Sequence, residues 1–254
     1  MNSILISVGA LVAMAACGAL GFFVRTRLKD EHLSDDSIRA ISLSTGVLAT
    51  MSGMILGMML SSAQSSFNAV GNDINSLATK VVLLDNALRK YGSDADPLRS
   101  ELRRDVHLAY ARLQNPAGVK QYAMPSNESQ NPLEHFQHGM KMLVPDSDLQ
   151  KALQDRMLSL VAEIEAIQWN LVHGSGNSLP VPFVAAMVFW FAAVFLGFGT
   201  VTANNTMVFV TLFLCALSVS VAIFLGMEMS SPFTGLMNVS LHPVEDALAQ
   251  IDRK

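Results

Sequence analysis

Four stretches of this chain, at about 3–24, 40–62, 181–201 and 206–227, contain no charged side chain and are long enough to cross roughly 30 Å of hydrocarbon as helices. That feature constrains the fold more than any other. A helix or a closed barrel must satisfy its own backbone hydrogen bonds in lipid, and no period-two strand pattern occurs. The predicted class is therefore all-α: an integral membrane protein whose four transmembrane helices form a 2+2 arrangement. An extramembrane helical bundle is inserted between spans two and three. The divisions are 1–62 (helices one and two), 63–178 (bundle), 179–228 (helices three and four) and 229–254 (a turn and a short amphipathic helix).

Charge follows the same divisions. Only 15% of residues are charged and mean hydropathy is +0.36, against about a quarter charged in soluble domains. Nearly all of the charge lies in 25–39, 73–165 and 228–254. A net charge of −4 provides no basic face for nucleic acid. Cys17 and Cys215 both sit in apolar runs, where a thiol acts as a small hydrophobe, so no disulfide is expected. "MAAC" at 14–17 has a faint look of a lipoprotein cleavage site. Its basic residues follow the apolar run instead of preceding it, so an uncleaved first span is expected.

The second span runs into a heptad. Phe67, Val70, Ile74, Leu77, Val81, Leu84, Leu88 and Tyr91 are spaced alternately three and four apart, the seam of a coiled coil. Extended backwards, the register meets Ala63, Leu60 and Leu56, then only small residues: Gly53, Ala49, Gly46 and Ser42. Gly53 and Gly57 form a GxxxG, and small residues let membrane helices approach closely. One continuous helix from about Arg39 to Tyr91 is predicted, its stripe changing from small to bulky where the solvent changes. Ser42, Gly46, Ala49, Gly53, Gly57 and Ser61 are the candidates for a pore lining or helix interface, and Phe67 to Leu88 for a coupling seam. Two readings of the outer seam stand. One packs it on a second seam in the same chain (Leu149, Leu153, Met157, Leu160, Ile164, Ile167 and Leu171). The other pairs it between chains, with Asp73, Lys80 and Asp85 as flanking charges. The wide apolar face formed with Val82 and Leu83 favours the first.

A third helical pattern places Leu98, Leu102, Val106, Ala109 and Leu113 on one face, and the stretch 115–132 reads as a loop by its prolines, glycine and amides. A short helix is predicted over 133–143. Ser147 and Gln150 have capping-box spacing at the start of the second seam.

Arg25, Arg27, Lys29 and Arg39 cluster between the first two spans, whereas only Lys80 lies near the outer domain's membrane junctions. The positive-inside rule then makes the 25–39 loop cytoplasmic and puts both termini and the helical domain outside, in a bacterial inner membrane.

Chemistry is sparse. His135 and His138 beside Glu134 lack a third ligand at matching spacing, so no metal site is assigned. No catalytic or nucleotide motif occurs, and neither an enzyme nor a cofactor is expected. "GFG" at 197–199 reads as close helix packing. No span carries an ionisable residue at mid-depth, which argues against energised transport and leaves a passive pore. Its polar lining would come from the second span's hydroxyls, Ser42, Ser44, Thr45, Thr50, Ser52, Ser61, Ser62 and Ser65. The plainer role of such hydroxyls is to bond their own helix backbone.

The C-terminal quarter, "PVPFVAAMVFWFAAVFLGFGTVTANN" through "EMSSPFTGLMNVSLHPVEDAL", resembles the bacterial bestrophin-like domain family, and "RLKDEHLSDDSIRAISLSTGVLATMSGMILGMM" resembles its N-terminal half. The turn motif consists of Glu228, Pro232, Phe233 and Gly235. The resemblance implies a four-span subunit of a homo-oligomer with its second span where a pore would be, since bestrophins proper are pentameric anion channels. This second span has no aromatic residue, so their aromatic-aliphatic neck is not carried over, and no acidic calcium clasp is found. Bestrophins place the helical domain in the cytosol, opposite to the charge pattern here. The expected function is a passive ion or small-solute channel in the bilayer. The alternative is a non-conducting membrane-anchored sensor or scaffold whose helical domain binds an unidentified protein partner. In "HPVEDALAQI" a short amphipathic helix is expected to fold back after the turn.

Overall fold

The computed structural model describes residues 3–27, 34–114, 132–174, 181–202, 205–233 and 237–253. Lys29, Gly235 and the predicted loop up to Asn131 lie outside them. Among the described residues the regular structure is helical, with no strand. The elements are α1 (Ser3–Arg27), α2 (Asp35–Tyr91), α3 (Asp96–Leu113), α4 (Pro132–Lys141), α5 (Asp148–Gly174), α6 (Val181–Val201), α7 (Thr206–Met229) and α8 (His242–Ile251); a 3-10 turn, Ser93–Ala95, precedes α3. α1, α2, α6 and α7 carry windows long and apolar enough to cross a membrane. The chain forms two compact units, Met1–Ser66 with Asn177–Ser230, and Phe67–Gly176 with Ser231–Lys254.

In the first unit α1 packs on α6 and α7. Its buried residues are Ser7, Ala10, Met14, Gly18 and Gly21, a stripe of compact side chains at helical spacing. A methyl group on Gly21 would lie 2.9 Å from the Cα of Gly199, and one on Gly199 would overlap the carbonyl of Gly18. The two backbones therefore touch where side chains would have kept them apart. Gly197 does the same for α2, since any side chain there would strike Thr45. The "GFG" step is thus a packing device on both its glycines. Ser220 Oγ donates to the Ser7 carbonyl at 2.6 Å, tying α7 to α1, and Arg25 donates to the Val201 carbonyl at the end of α6. Around these ties Ala10, Met14, Met59, Val184, Met187, Phe191, Phe195, Ala216 and Ile223 form the core.

In the second unit the C-terminal part of α2 is the central element. Gly92, at φ 118°, ends it in a conformation that L side chains rarely adopt. One core joins Val81, Leu84, Leu88 and Tyr91 of α2 to Leu98 and Leu102 of α3, Phe136 and Met140 of α4, and Met157, Leu160, Val161 and Ile164 of α5. A second joins Val70, Ile74 and Ala78 to Val244 and Ala247 of α8, while Leu248 and Ile251 of α8 reach the first. Polar side chains close the ends of the bundle. Gln150 N donates to Ser147 Oγ at 3.2 Å, as the capping-box spacing predicts, and its amide donates to the Tyr91 carbonyl at 3.1 Å. Gln154 donates to the carbonyls of Met140 and Leu143 at 2.8 and 3.0 Å.

One sequence expectation needs correction here, and one charge is placed otherwise than the between-chain reading would have it. Asp85, a flanking charge in that reading, is enclosed by the chain's own fold. It is 4% exposed and accepts two hydrogen bonds from Arg99, at 2.7 and 3.1 Å. Leu149, expected in the α5 seam, is 70% exposed: it lies in the first turn of α5, beyond the reach of the core, whereas Val161, off the expected seam, is fully buried.

Candidate functional site

α2 is a single helix of 57 residues, about 85 Å long at 1.5 Å per residue. Its apolar half buries only one face against the rest of the first unit. Thr45, Ser52, Met59 and Ala63, at spacings of seven, seven and four, are the buried positions. The small-residue candidates fall elsewhere: Ser42, Gly53, Gly57 and Ser61 are exposed, and Gly46 and Ala49 are half-buried. A methyl group placed on Gly46, Gly53 or Gly57 would meet nothing within 4 Å. These glycines therefore make no close helix contact within the chain, in contrast to Gly21, Gly197 and Gly199.

A shallow groove of about 820 Å³ runs along this uncovered face, lined among others by Arg39, Ser42, Gly46, Thr50 and Met51 of α2 and by Val201 of α6. Two of the helix's hydroxyls are turned inward: Ser44 Oγ and Thr50 Oγ1 donate to the carbonyls of Ala40 and Gly46, each at 2.9 Å. A hydroxyl bonded in this way keeps an acceptor lone pair for a passing solute or water. Arg39 closes the groove at the N-terminal end, where no ion-pair partner is found among the described residues.

The seam candidates are placed in the second unit's cores. Val70, Ile74, Val81, Leu84 and Leu88 are buried, as is Tyr91, while Phe67 and Leu77 are half-buried. Their partners are the chain's own α3, α4, α5 and α8, the intrachain arrangement that the wide apolar face favoured. Lys80, expected as a flanking charge, pairs with Glu163 of α5. The hydrogen bond from Lys80 is the foremost reason that the Glu163 carboxyl is held below its ordinary range, with Ser159 second.

At the turn motif Glu228 is 2% exposed and accepts a hydrogen bond from Ser3 Oγ at 2.6 Å, so the start of α1 meets the end of α7. Pro232 is buried, and Phe233 packs in the cluster that holds Val70 and Val244. Of the paired histidines, His135 Nδ1 contacts Glu101 at 3.1 Å and His138 is exposed. No group of three His, Cys, Asp or Glu side chains among the described residues is placed to hold a metal ion.

The α1 stripe and the Ser3–Glu228 contact escaped the sequence. A run such as Ser7, Ala10, Gly18 and Gly21 is diluted by equally small neighbours at Gly9, Ala13, Ala15 and Ala16, so no single face stands out.

No curated protein matches the chain. Solved structures do. Three variants of a bacterial bestrophin homologue from Klebsiella pneumoniae align over nearly the whole chain. The first has a TM-score of 0.69 at 14% identity, covering 96% of this chain and 97% of that chain. The second has a TM-score of 0.69 at 16% identity with the same coverage. The third has a TM-score of 0.66 at 15% identity, covering 99% of this chain and 97% of that one. At such identities the likeness establishes the fold. A family model described as the Bestrophin-like domain matches residues 12–244, and with nine-tenths of its length so matched, the chain belongs to the Bestrophin-like family.

Proposed function

We propose that this protein is a homo-oligomeric, passive channel-like membrane protein that conducts ions or small solutes along α2. One observation carries the reading. The α2 face bearing Gly46, Gly53, Gly57, Ser42, Ser61 and Thr50 is left uncovered by the chain's own helices among the described residues, and it combines small residues with hydroxyls. Lipid exerts no hydrophobic drive on such a face, but other copies of α2 can pack on it closely and enclose a path. Membership of the family supports the same assignment, since the resemblance implies a second span at a pore. The four spans then form a 2+2 set in the bacterial inner membrane, with residues 63–178 outside the bilayer. The basic residues of the 25–39 loop support a cytoplasmic loop, with the helical domain and both termini on the far side.

The decisive experiment has two parts. The oligomer's mass is measured in native-lipid nanodiscs, and ion flux is measured in vesicles for the wild type, Gly53→Leu and Ser61→Leu. A ring of four or more subunits, with flux altered by either substitution, is the expected result. A monomer without flux overturns the proposal. Cysteine labelling of the 25–39 loop from each side tests the topology.

A second reading, a membrane-anchored scaffold, rests on Met142, Val144 and Leu149, three exposed apolar side chains around the α4–α5 connection. It predicts saturable capture of a partner protein that Val144→Asp abolishes, with no flux in any variant.

A further inference from the structure

The outward face of α2 also carries Met51, Met54 and Met58, exposed by 60%, 67% and 64%. Spacings of three and four place them on successive turns of one face, with adjacent Cβ atoms about 5–6 Å apart. Among the described residues none of the three belongs to a buried cluster: Met59, next to Met58, fills the core position. The other spans cover their outward faces differently. The large exposed side chains of α1 are Ile4, Leu5, Val8, Val12, Leu20, Phe23 and Val24, those of α6 are phenylalanines, and α7 adds a single Met207 to a set of Phe, Val and Leu. Three exposed thioethers in eight residues are thus peculiar to α2, and Met51 also borders the groove.

Thioether sulfur is a soft, neutral donor that selects monovalent copper-like ions over hard cations. The surroundings favour the same class. α2 carries no ionisable group between Arg39 and Asp73, so a divalent ion would find no carboxylate to offset its loss of hydration, and a bare charge in a span is expensive. A singly charged soft ion loses less hydration and gains covalent character from sulfur.

We infer that Met51, Met54 and Met58 form a coordination ladder for a soft monovalent metal cation, Cu(I) or Ag(I). Met54 can share an ion with Met51 on one side and with Met58 on the other, so an ion can step along the helix without leaving sulfur. Thioethers carry no proton to displace, so binding is independent of pH, unlike that of a thiolate or imidazole site. The inference rests on the proposed α2 path for what the bound ion does next, but binding itself is a property of the helix and is measured separately.

Ag(I), which needs no reductant, is the probe. Full-length protein carrying Cys17→Ser and Cys215→Ser, in nanodiscs, is titrated calorimetrically. Saturable binding is expected, equal at about pH 6 and 8, and weakened about tenfold or more in Met51→Leu/Met54→Leu/Met58→Leu. Leucine conserves volume, so the fold is retained, and unchanged oligomer mass verifies it. Met142→Leu/Met207→Leu is expected to bind as the parent does. Binding unchanged in the triple variant, or binding that rises steeply with pH, overturns the inference. Chloride and potassium flux through the same protein reconstituted in silver-free vesicles separates the two proposals. Flux without a silver site removes this one and leaves the channel. Silver binding without flux removes the channel and leaves the site.

Discussion

Arg99 grips Asp85 with two parallel hydrogen bonds, Nε to Oδ1 at 2.7 Å and Nη2 to Oδ2 at 3.1 Å, both side chains being largely buried. That hydrogen bond is the foremost cause raising the guanidinium pKa above its ordinary value, against the lowering effect of burial. A buried pair of this kind is strongly destabilising when broken and much less so when replaced whole. Asp85→Leu or Arg99→Met alone is expected to cost about 3–5 kcal/mol, and the double variant a small fraction of the sum. Thermal unfolding in detergent, analysed as a double-mutant cycle, checks this; additive losses would contradict it.

The glycines of the spans divide into two functional sets. Gly21→Ala forces a methyl group against the backbone of Gly199, and overpacking of this kind costs about 1–3 kcal/mol or more because backbone cannot swing aside. Gly53→Ala meets open space and is expected to leave the monomer's melting midpoint unchanged while perturbing the oligomer's mass. Equal effects on the monomer from both substitutions would refute the distinction.

Core occupancy makes a sharper test of the second unit. Leu84 is 1% exposed in the heart of the cluster, so Leu84→Ala is expected to cost about 2–5 kcal/mol. Leu149→Ala, outside the core, should stay within about 0.5 kcal/mol of the parent. Melting curves of the two variants read side by side decide the matter.

Two carboxylates impose opposite pH trends. Glu163, lowered by the hydrogen bond from Lys80, contributes stability that is present above its ordinary range. That contribution is lost as pH falls through its depressed folded value. Asp73, raised by burial, binds its proton more readily when folded, so its unfavourable contribution at neutral pH is relieved on acidification. Lys80→Met should therefore flatten the loss of stability on acidification, and Asp73→Asn should steepen it. Melting midpoints measured down through the carboxylate range test both signs.

Much of this architecture could be read from side-chain spacing. Val70, Ile74, Val81, Leu84 and Leu88 of the heptad are buried as its period requires and Leu77 is half-buried, and α2 runs unbroken from Asp35 to Tyr91, four residues earlier than the spacing places its start. Periodicity reports which face is apolar in water, and there it works. It fails for Leu149, because a seam does not reveal where its partner ends, and for Asp85, because a charge beside a seam looks solvated until Arg99 is folded onto it. Within the spans every face is apolar, so spacing loses its contrast. There the small residues of α1 turned out to do the packing inside the chain, while those of α2 are uncovered. The difference depends on which helix lies opposite, and a single sequence does not record that.

The uninterrupted length of α2 also sets its tolerance to insertions and deletions. Each residue added to a helix rotates everything beyond it by about 100° and advances it by 1.5 Å. One extra residue between Ala78 and Val81 would swing Val81, Leu84 and Leu88 together out of phase with Val70 and Ile74, and so away from their partners in the second unit, as would a deletion. Seven extra residues would restore their azimuth almost fully, at the expense of an axial slip of about 10 Å. No proline interrupts α2 to absorb a smaller error, so the phase between one turn of its seam and the next is fixed by residue count alone.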